Sequence, residues 1–503
     1  MTEPLETTEI QGLVLRGYGK LNAARFMLLA VEHREEARRY LTGAIARVTP
    51  ASESPRDFAL QIAFTKLGLE ALEVPATVVK TFSREFLEGM TDPTRSTTLG
   101  DTDANDPKDW RWGRADVHVM VMVYAVDETS LQTFVDDELS LLVPGFRVVL
   151  HQHSAQLPEN REHFGWIDGL SMPAIDGVPH HEHRRERPPK PQWTGPLQPG
   201  EFLLGYPNEY KVYSESPVAD PGDDPHNYLP RAADGRKDLG RNGTYLVYRQ
   251  YTQNVRALWD YLKTNTPDPD AAIALGAKLV GRWPNGAPLV VSPHADDPAK
   301  KHDNEFVYVT DKTKTPPFDE IGLACPIGSH IRRANPRNDL SADRQGPYAE
   351  TMIRKHQMIR RGRPYGKPLA AAMTAHALMA APEDGEERGL HFICLVGAIN
   401  RQFELVQRSW LQSANFHGLF KDGDPITATR KTGDNANTDF TVPAEPVRCK
   451  YKDMPAFTRL VGGAYFFLPS IAALKFIAQA PASLSSATDS ESSASPSMHP
   501  PPR

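Results

Sequence analysis

The strongest constraint on the fold is the order of apolar and helix-spaced segments in the first third of the chain. Four strands are predicted there, at Ala23–Val31, Phe58–Thr65, Val117–Val126 and Arg147–His153. Apolar residues recur at helical spacing over Glu32–Val48, after the first strand, and over Asp127–Leu142, after the third. The resulting order of strand, helix, strand, strand, helix and strand is typical of a ferredoxin-like unit.

The second half of the chain shows a similar alternation, without a recognisable sequence repeat. Strands are predicted at Gly243–Gln250, Leu390–Ile399 and Gly462–Leu468, and helices at Asn254–Leu262, Ala271–Gly281, Asn400–Gln412 and Pro469–Ala478. The mixture of both periodicities indicates an α+β protein. The last segment, 481–503, is rich in Ser, Ala and Pro and has no periodicity, so we expect it to be disordered.

The bulk composition argues against several partners and compartments. The chain has 503 residues, enough for two or more domains, and its net charge of −6 gives no electrostatic case for binding nucleic acid or an anionic membrane. The cysteines Cys325, Cys394 and Cys449 lie far apart, which argues against a disulfide framework and indicates a reducing compartment. No apolar run approaches the ~20 residues of a membrane-spanning helix, and residues 1–6 carry no export signal, so we expect a cytoplasmic protein.

The segment Phe164–Pro173 (FGWIDGLSMP) holds one carboxylate, Asp168, between Gly165 and Gly169. Glycine tolerates unusual dihedral angles and lets a backbone approach a ligand closely. A carboxylate in such a turn, facing an apolar pocket, can be desolvated and can act as an acid–base catalyst. The alternative is an Asx-type turn, in which Asp168 bonds only its own backbone.

A proline-rich segment at 176–199 contains the run His180-His181-Glu182-His183, called here the His180–His183 cluster. Clustered histidines can bind a metal ion. No further ligands at a suitable spacing accompany them, which favours a solvated loop. A metal protein that uses this cluster is an alternative interpretation of the chain.

Two later segments carry more specific patterns. They are Cys325–Arg337 (CPIGSHIRRANPR) and Met358–Gly366 (MIRRGRPYG). Together with the Gly165–Gly169 turn, in this order, they resemble the dye-decolorizing peroxidases, and the resemblance extends along nearly the whole chain. It maps the distal Asp of that family onto Asp168, its haem-ligating His onto His330 and its distal Arg onto Arg360.

The resemblance implies an α+β fold of two ferredoxin-like halves packed sheet to sheet, of the dimeric α+β barrel type, with a haem pocket in the C-terminal half. The expected domains are an N-terminal ferredoxin-like domain, a region with the GxxDG loop and long insertions, a C-terminal haem-binding domain and the tail, at 1–160, 161–320, 321–480 and 481–503. The stretches PGEFLLGYPNEY, GRNGTYLVYRQ and GRWPNGAPLV indicate a long-form member, of class C or D type. Trp166 and Met172 depart from the commonest form of the family's turn.

The resemblance also implies one haem b per chain, with His330 as the ligand of its iron. Glu404, a carboxylate in an otherwise apolar predicted helix, is the candidate partner for the second ring nitrogen of His330, and the alternative is an exposed surface Glu. Arg332 is the candidate cation for a haem propionate, or else a solvated surface charge. Gly165 and Gly169 belong to the turn that is expected to face the haem.

The implied reaction reduces hydrogen peroxide to water and oxidises organic donors such as dyes and phenols. Asp168 is expected to transfer the peroxide proton, and Arg360 to stabilise the developing negative charge. Bulky donors are expected to react at a surface Trp or Tyr. The alternative is a non-catalytic haem-binding or iron-handling protein on the same scaffold, which has little need of Asp168 and Arg360.

Overall fold

The computed structural model describes residues 4–178, 195–309, 319–341, 351–433 and 436–479. The predicted disordered tail and the His180–His183 cluster lie outside these residues. Among the helices in the described ranges, none is both long and apolar enough to cross a membrane. The domain boundaries stay predictions.

The secondary structure alternates along the chain as expected for an α+β protein. The strands are β1 Ala23–Val31, β2 Phe58–Phe64, β3 Val119–Ala125, β4 Phe146–Ala155, β5 Val218–Ala219, β6 Lys237–Asp238, β7 Thr244–Gln253, β8 Ile359–Arg360, β9 Arg363–Tyr365, β10 Gly389–Val396, β11 Phe440–Val442, β12 Cys449–Tyr451 and β13 Thr458–Leu468. The α-helices are α1 Arg34–Ala44, α2 Lys66–Ala71, α3 Ala76–Val79, α4 Arg84–Glu88, α5 Pro93–Leu99, α6 Glu128–Leu142, α7 Val255–Thr264, α8 Pro269–Val280, α9 His330–Ala334, α10 Thr351–Arg354, α11 Ala375–Ala380 and α12 Ile471–Gln479.

The first four strands pair antiparallel in the order β4-β1-β3-β2. Helix α1 lies between β1 and β2 in the chain, and α6 lies between β3 and β4, so the predicted order of strands and helices is confirmed. Helices α2 to α5 are inserted between β2 and β3. We call these four strands the first strand unit.

A second strand unit continues the same sheet in the order β13-β7-β10-β8, with β9 also paired to β10. When β8 and β9, which both pair with β10, are counted as one strand, the order in space in each unit is the last strand, the first, the third and then the second. The two units join where β13 pairs with β2, at Phe467 and Phe64. Together they form a nine-stranded sheet within the described residues.

The central strands are buried on both faces. Phe26 of β1 packs in one core with Tyr248 of β7 and His391 of β10, and its ring centroid lies 6.1 Å from that of Tyr248 and 5.6 Å from that of His391. The next residue, Met27, belongs to the core on the opposite face, with Leu41 of α1. A strand buried on both faces needs a continuous apolar run, which explains why these strands were predictable from sequence.

The segment before Asp168 is anchored in a third core, which α7, α8 and α11 build. The Trp166 ring stacks on Trp259, with centroids 5.6 Å apart and an interplanar angle of 16°. The Trp166 indole N–H donates to the carbonyl of Arg282 at 2.8 Å. The large side chain at position 166 therefore holds the Asp168 turn against the helices.

The predicted helix at Asn400–Gln412 forms, but with π-helical geometry over Asn400–Glu404 and Val406–Leu411. The π-helix is rare and frequently occurs at functional sites. Phe403, Val406 and Gln407 of this π-helical segment line the cavity described below.

Replacing Phe26 by Ala is expected to lower the free energy of unfolding by about 3–5 kcal/mol, because it removes a fully buried ring between the two strand units. Phe58→Ala is the matched control. The Phe58 side chain is 44% exposed, so its loss is expected to cost much less. Chemical denaturation followed by circular dichroism measures both, and equal losses would contradict the placement of Phe26.

Candidate active site

One cavity collects residues from all three sequence motifs. Its volume is about 310 Å³, within the range of small-molecule sites, roughly 300–1,000 Å³. Its walls come from β7, β8 and β10, from α9, from the π-helical segment and from the Asp168 turn. Asp168, His330 and Arg360 all line it.

The turn that carries Asp168 is closed by backbone bonds and by one arginine. The Asp168 N–H donates to the carbonyl of Asn160 at 2.8 Å, and Arg161 Nη1 donates to the carbonyl of Gly165 at 2.6 Å. Gly165 has φ +105°, a conformation that only glycine adopts readily. Asp168 Oδ1 accepts from the N–H of Gly169 at 2.6 Å. Asp168 therefore makes a bond to its own backbone and also lines the cavity.

His330 is the first residue of α9 and is held by Asp424. Its Nδ1 lies 3.1 and 3.0 Å from the two carboxylate oxygens of Asp424. Burial lowers the pKa of His330, but the Asp424 carboxylate more than compensates, and the net shift of the pKa is upward. Burial likewise raises the pKa of Asp424, but His330, Arg333 and the Thr427 N–H lower it to about 2. The fixed anion orients the imidazole, and Nε2 has no hydrogen-bond partner within the described ranges.

The predicted pairing of His330 with Glu404 is wrong. Glu404 accepts from Arg95 Nη1, at 2.6 Å to each carboxylate oxygen, and from the Tyr465 hydroxyl at 2.7 Å. Glu404 is only 5% exposed, so the alternative of a surface Glu is also wrong. The sequence indicated correctly that this carboxylate needs a partner, but the packing of α5 and β13 against the π-helical segment decides which one. Asp424 lies 94 residues from His330, and its Asp-Pro step predicts only a turn.

Arg360 is the one arginine of its motif that lines the cavity. Arg361 donates to the carbonyls of Leu13 and Val14, at 2.7 and 2.8 Å, and Arg363 donates to carbonyls of the same N-terminal segment. In the part of the chain that the structure describes, no group accepts a hydrogen bond from the Arg360 guanidinium. Strand β8 therefore presents Arg360 to the cavity as a cation without a partner among the described residues.

The prediction that Arg332 meets a haem propionate is wrong. Arg332 is fully buried outside the cavity wall, and so it is not a surface charge either. Its Nε donates to Asp339 at 2.8 Å, and its Nη1 donates to Asp319 at 3.1 Å. With two carboxylates already bound, the Arg332 guanidinium has no free edge for a third.

Two other arginines, Arg282 and Arg337, line the cavity. Arg282 donates to the carbonyl of Gly286 at 2.7 Å, and Arg337 donates to that of Phe306 at 2.6 Å. Both guanidinium groups lie over the Phe306 ring, at 5.6 and 3.8 Å from its centroid. Burial, and then repulsion from Arg337, lowers the pKa of Arg282 to about 10. Neither arginine has a carboxylate partner among the described residues, so this wall can receive an anionic ligand.

Glu162 is a second carboxylate of the cavity wall, which sequence reasoning missed. Its Oε2 accepts from the Phe164 N–H at 2.9 Å and from Gln253 Nε2 at 2.7 Å, and its Oε1 accepts from the Trp166 N–H at 3.0 Å. Burial raises the pKa of Glu162 to about 7, against the lowering effect of these three bonds. The one available signal, an acidic residue just before the GxxDG turn, does not distinguish it from a surface Glu.

The alternative interpretation as a metal protein gains no support from the described residues. No group of three or more His, Cys, Asp or Glu side chains is arranged to hold a metal ion in the described ranges. The His180–His183 cluster lies outside them, so its metal binding stays a prediction.

Similar proteins share one activity. A dye-decolorizing peroxidase of Mycena epipterygia is 30% identical over 453 residues, which cover 84% of this chain and 76% of that relative. The structure of a fungal DyP-type peroxidase from Auricularia auricula-judae matches with a TM-score of 0.73 at 23% identity, over 95% of this chain and 100% of that one. A dye-decolorizing peroxidase complexed with 2,6-dimethoxyphenol matches with a TM-score of 0.71 at 24% identity, over 94% of this chain and 100% of that one. The chain matches no family model.

The solved structures show that the α+β fold is that of the dye-decolorizing peroxidases. The similarity to the Mycena enzyme over most of both chains shows that the chain belongs to the dye-decolorizing peroxidase family. It is therefore a peroxidase of a haem-dependent family, and the predictions of family and enzyme class are confirmed.

Gly165→Ala is expected to damage the turn more than Gly169→Ala. A Cβ on Gly165 would lie 2.7 Å from Leu378 Cδ1, whereas a Cβ on Gly169 would meet nothing within 4 Å. Gly169 has φ +74°, so its replacement is expected to cost about 1–2 kcal/mol of backbone strain alone. Thermal unfolding measures both variants. A melting temperature that falls equally in the two would contradict the close packing at Gly165.

Proposed function

We propose that the chain is a peroxidase that reduces hydrogen peroxide and oxidises small organic donors, with His330, Asp168 and Arg360 as its working residues. The observation that carries this proposal is the meeting of three separate motifs on one cavity. A histidine held by a buried carboxylate, an acid–base carboxyl and a cation that no described group pairs are the side chains that peroxide cleavage needs.

The donor set of the cavity fits one haem b. His330 is suited to ligate the iron through Nε2, because Asp424 holds Nδ1 and raises the basicity of the ring. Arg282 and Arg337 are suited to bind the two carboxylates of the macrocycle, because no acidic side chain neutralises them in the described residues. When bound, the haem supplies an iron centre that exchanges electrons with peroxide and then with the donor.

Asp168 is the proton carrier of the proposal. Its Oδ1 is held by the Gly169 N–H, while Oδ2 has no hydrogen-bond partner within the described ranges. The free oxygen can accept a proton from one peroxide oxygen and return it to the oxygen that leaves as water. Arg360, with no competing partner, can stabilise the negative charge that develops on that leaving oxygen.

Phenols and dyes are the proposed donors. A similar protein has been solved in complex with 2,6-dimethoxyphenol, and we extend this donor class to the present chain. Every tryptophan in the described residues is buried, so a surface route for bulky donors would not begin at any of these. The exposed tyrosines Tyr210 and Tyr213, with 49% and 63% of their surface accessible, are the alternative starting points.

We also infer that the two strand units are ferredoxin-like halves. Both place their last, first, third and second strands side by side, and Phe26 of one packs against Tyr248 of the other. This supports the sheet-to-sheet packing predicted from the sequence, with the cavity in the second half.

Removing either distal group is expected to lower kcat/KM for peroxide while the haem is retained. We expect about a 10²- to 10⁴-fold loss for Asp168→Asn and about a 10²- to 10³-fold loss for Arg360→Leu. Stopped-flow reduction of peroxide measures the loss, and the absorbance of the bound haem measures its retention. The controls are Asp137→Asn and Arg84→Leu, because both side chains are exposed on outer helices. Unchanged turnover in both distal variants would favour the non-catalytic haem-handling protein.

Two substitutions of buried carboxylates test whether Asp424, and not Glu404, supports His330. Asp424→Asn is expected to raise the reduction potential of the iron, because a less basic imidazole stabilises the ferric state less. Glu404→Gln is expected to leave the potential unchanged, because Glu404 bonds Arg95 and Tyr465 rather than His330. His330→Ala is expected to lose the haem. Spectroelectrochemical titration would reveal a contradiction if the Glu404 variant shifted the potential and the Asp424 variant did not.

A further inference from the structure

Glu162 spans the inside of the Asp168 turn. Its N–H donates to the carbonyl of Trp166 at 2.9 Å, and its own carbonyl accepts from the Gly165 N–H at 2.9 Å. Its carboxylate accepts from the N–H groups of Phe164 and Trp166, at 2.9 and 3.0 Å. One residue therefore bonds the backbone at three positions of the turn, the last of them two residues before Asp168.

The same carboxylate ties the turn to the sheet. Gln253 of β7 donates its Nε2 to Oε2 of Glu162 at 2.7 Å. No lysine, arginine or histidine of the described chain pairs with Glu162, so its three partners are neutral donors. An ionised carboxylate can accept all three hydrogen bonds, whereas a protonated one turns an oxygen into a donor that faces other donors.

Few charged groups act on Glu162 directly, so the charge at this position changes mainly with its own protonation. Asp168 is the charged residue of its own turn that acts on it. The flanking side chains bond other groups: Arg161 bonds Glu159, Asn285 and the carbonyl of Gly165, and His163 bonds the carbonyl of Tyr365. The other titratable groups of the same cavity are Tyr251, Arg282, Tyr308, His330, Arg337, His356 and Arg360.

We propose that Glu162 is a positioning residue for Asp168: without its proton it locks the turn that presents Asp168 to the cavity, and with its proton it releases that turn. This inference rests on the role proposed above for Asp168. It gives the peroxidase a dependence on pH that originates in the support of the turn rather than in the reacting groups.

The pKa of Glu162 places this change near neutrality. Burial raises that pKa to about 7, the Phe164, Trp166 and Gln253 bonds oppose the rise, and Asp168 adds to it. In the proposed released state the carboxyl stays buried and loses these three bonds, which raises its pKa further, so that the proton favours release. The turn is therefore expected to be released below about pH 6 and locked above about pH 8, one unit on either side of the midpoint.

The first experiment measures amide hydrogen exchange of the haem-loaded protein across this range, corrected for the intrinsic dependence of exchange on pH. The Phe164 and Trp166 amides are expected to slow by about ten- to a hundredfold as pH rises through the midpoint, because each gains a bond to a charged acceptor. In Glu162→Gln this step is expected to disappear. In the control Glu35→Gln it is expected to persist, because Glu35 has a 68% exposed side chain on helix α1 and bonds Arg34 there.

A second variant keeps the test decisive if Glu162→Gln folds poorly. Gln253→Leu removes a hydrogen bond that lowers the pKa of Glu162. The midpoint of the exchange step is therefore expected to move to higher pH, and the midpoint of kcat/KM for peroxide is expected to move with it. A residue that only supports the fold would lower stability without moving a midpoint.

The outcomes separate this proposal from the proposed function. An exchange step that survives in Glu162→Gln, or a midpoint that Gln253→Leu does not move, overturns the positioning role. An exchange step that depends on Glu162 while the pH profile of turnover does not also overturns it. Unchanged turnover in Asp168→Asn refutes the proposed function instead, and the exchange data then still show whether Glu162 controls the turn.

Discussion

The cavity depends on the interaction between the Asp424 carboxylate and the His330 imidazole. The carboxylate faces the Nδ1 atom of His330 and accepts from the N–H of Thr427 at 2.7 Å, which fixes a buried anion that would otherwise be costly. Helix α9, which carries His330, is also held by Arg333, which donates to the carbonyl of Trp410 in the π-helical segment at 2.7 Å. Helix α9, the turn at Asp424 and the π-helical segment therefore hold His330 in one orientation.

The arginines near His330 differ in whether a carboxylate neutralises them. Arg332 and Arg337 come from one motif, yet Arg332 is neutralised by Asp319 and Asp339, while within the described ranges Arg337 bonds only carbonyl oxygens. Arg360 likewise differs from its neighbours because β8 turns it to the cavity. Where a carboxylate already neutralises a buried cation, an external anion gains little. The arginines without acidic partners in the described chain are therefore the ones suited to binding.

The predictable parts of the fold share one physical property. The strands were identified because burial on both faces requires uninterrupted apolar runs, as at Val119–Ala125. Asp168 was identifiable because the glycines beside it mark a turn with positive φ. The apolar sequence around Glu404 predicts that this carboxylate needs a partner, but its partners, Arg95 and Tyr465, come from elements far away in sequence.

Local spacing and short motifs are enough to predict the α+β class, the order of strands and helices in the first unit, the turn around Asp168 and the family resemblance. Three features of the site depend on how distant segments pack: Asp424 holds His330, Arg282 and Arg337 rather than Arg332 line the cavity, and Glu162 bonds the backbone of the turn. The reason is that a buried charge is paired by whatever the packing of distant segments brings within hydrogen-bonding distance, and periodicity carries no record of that packing.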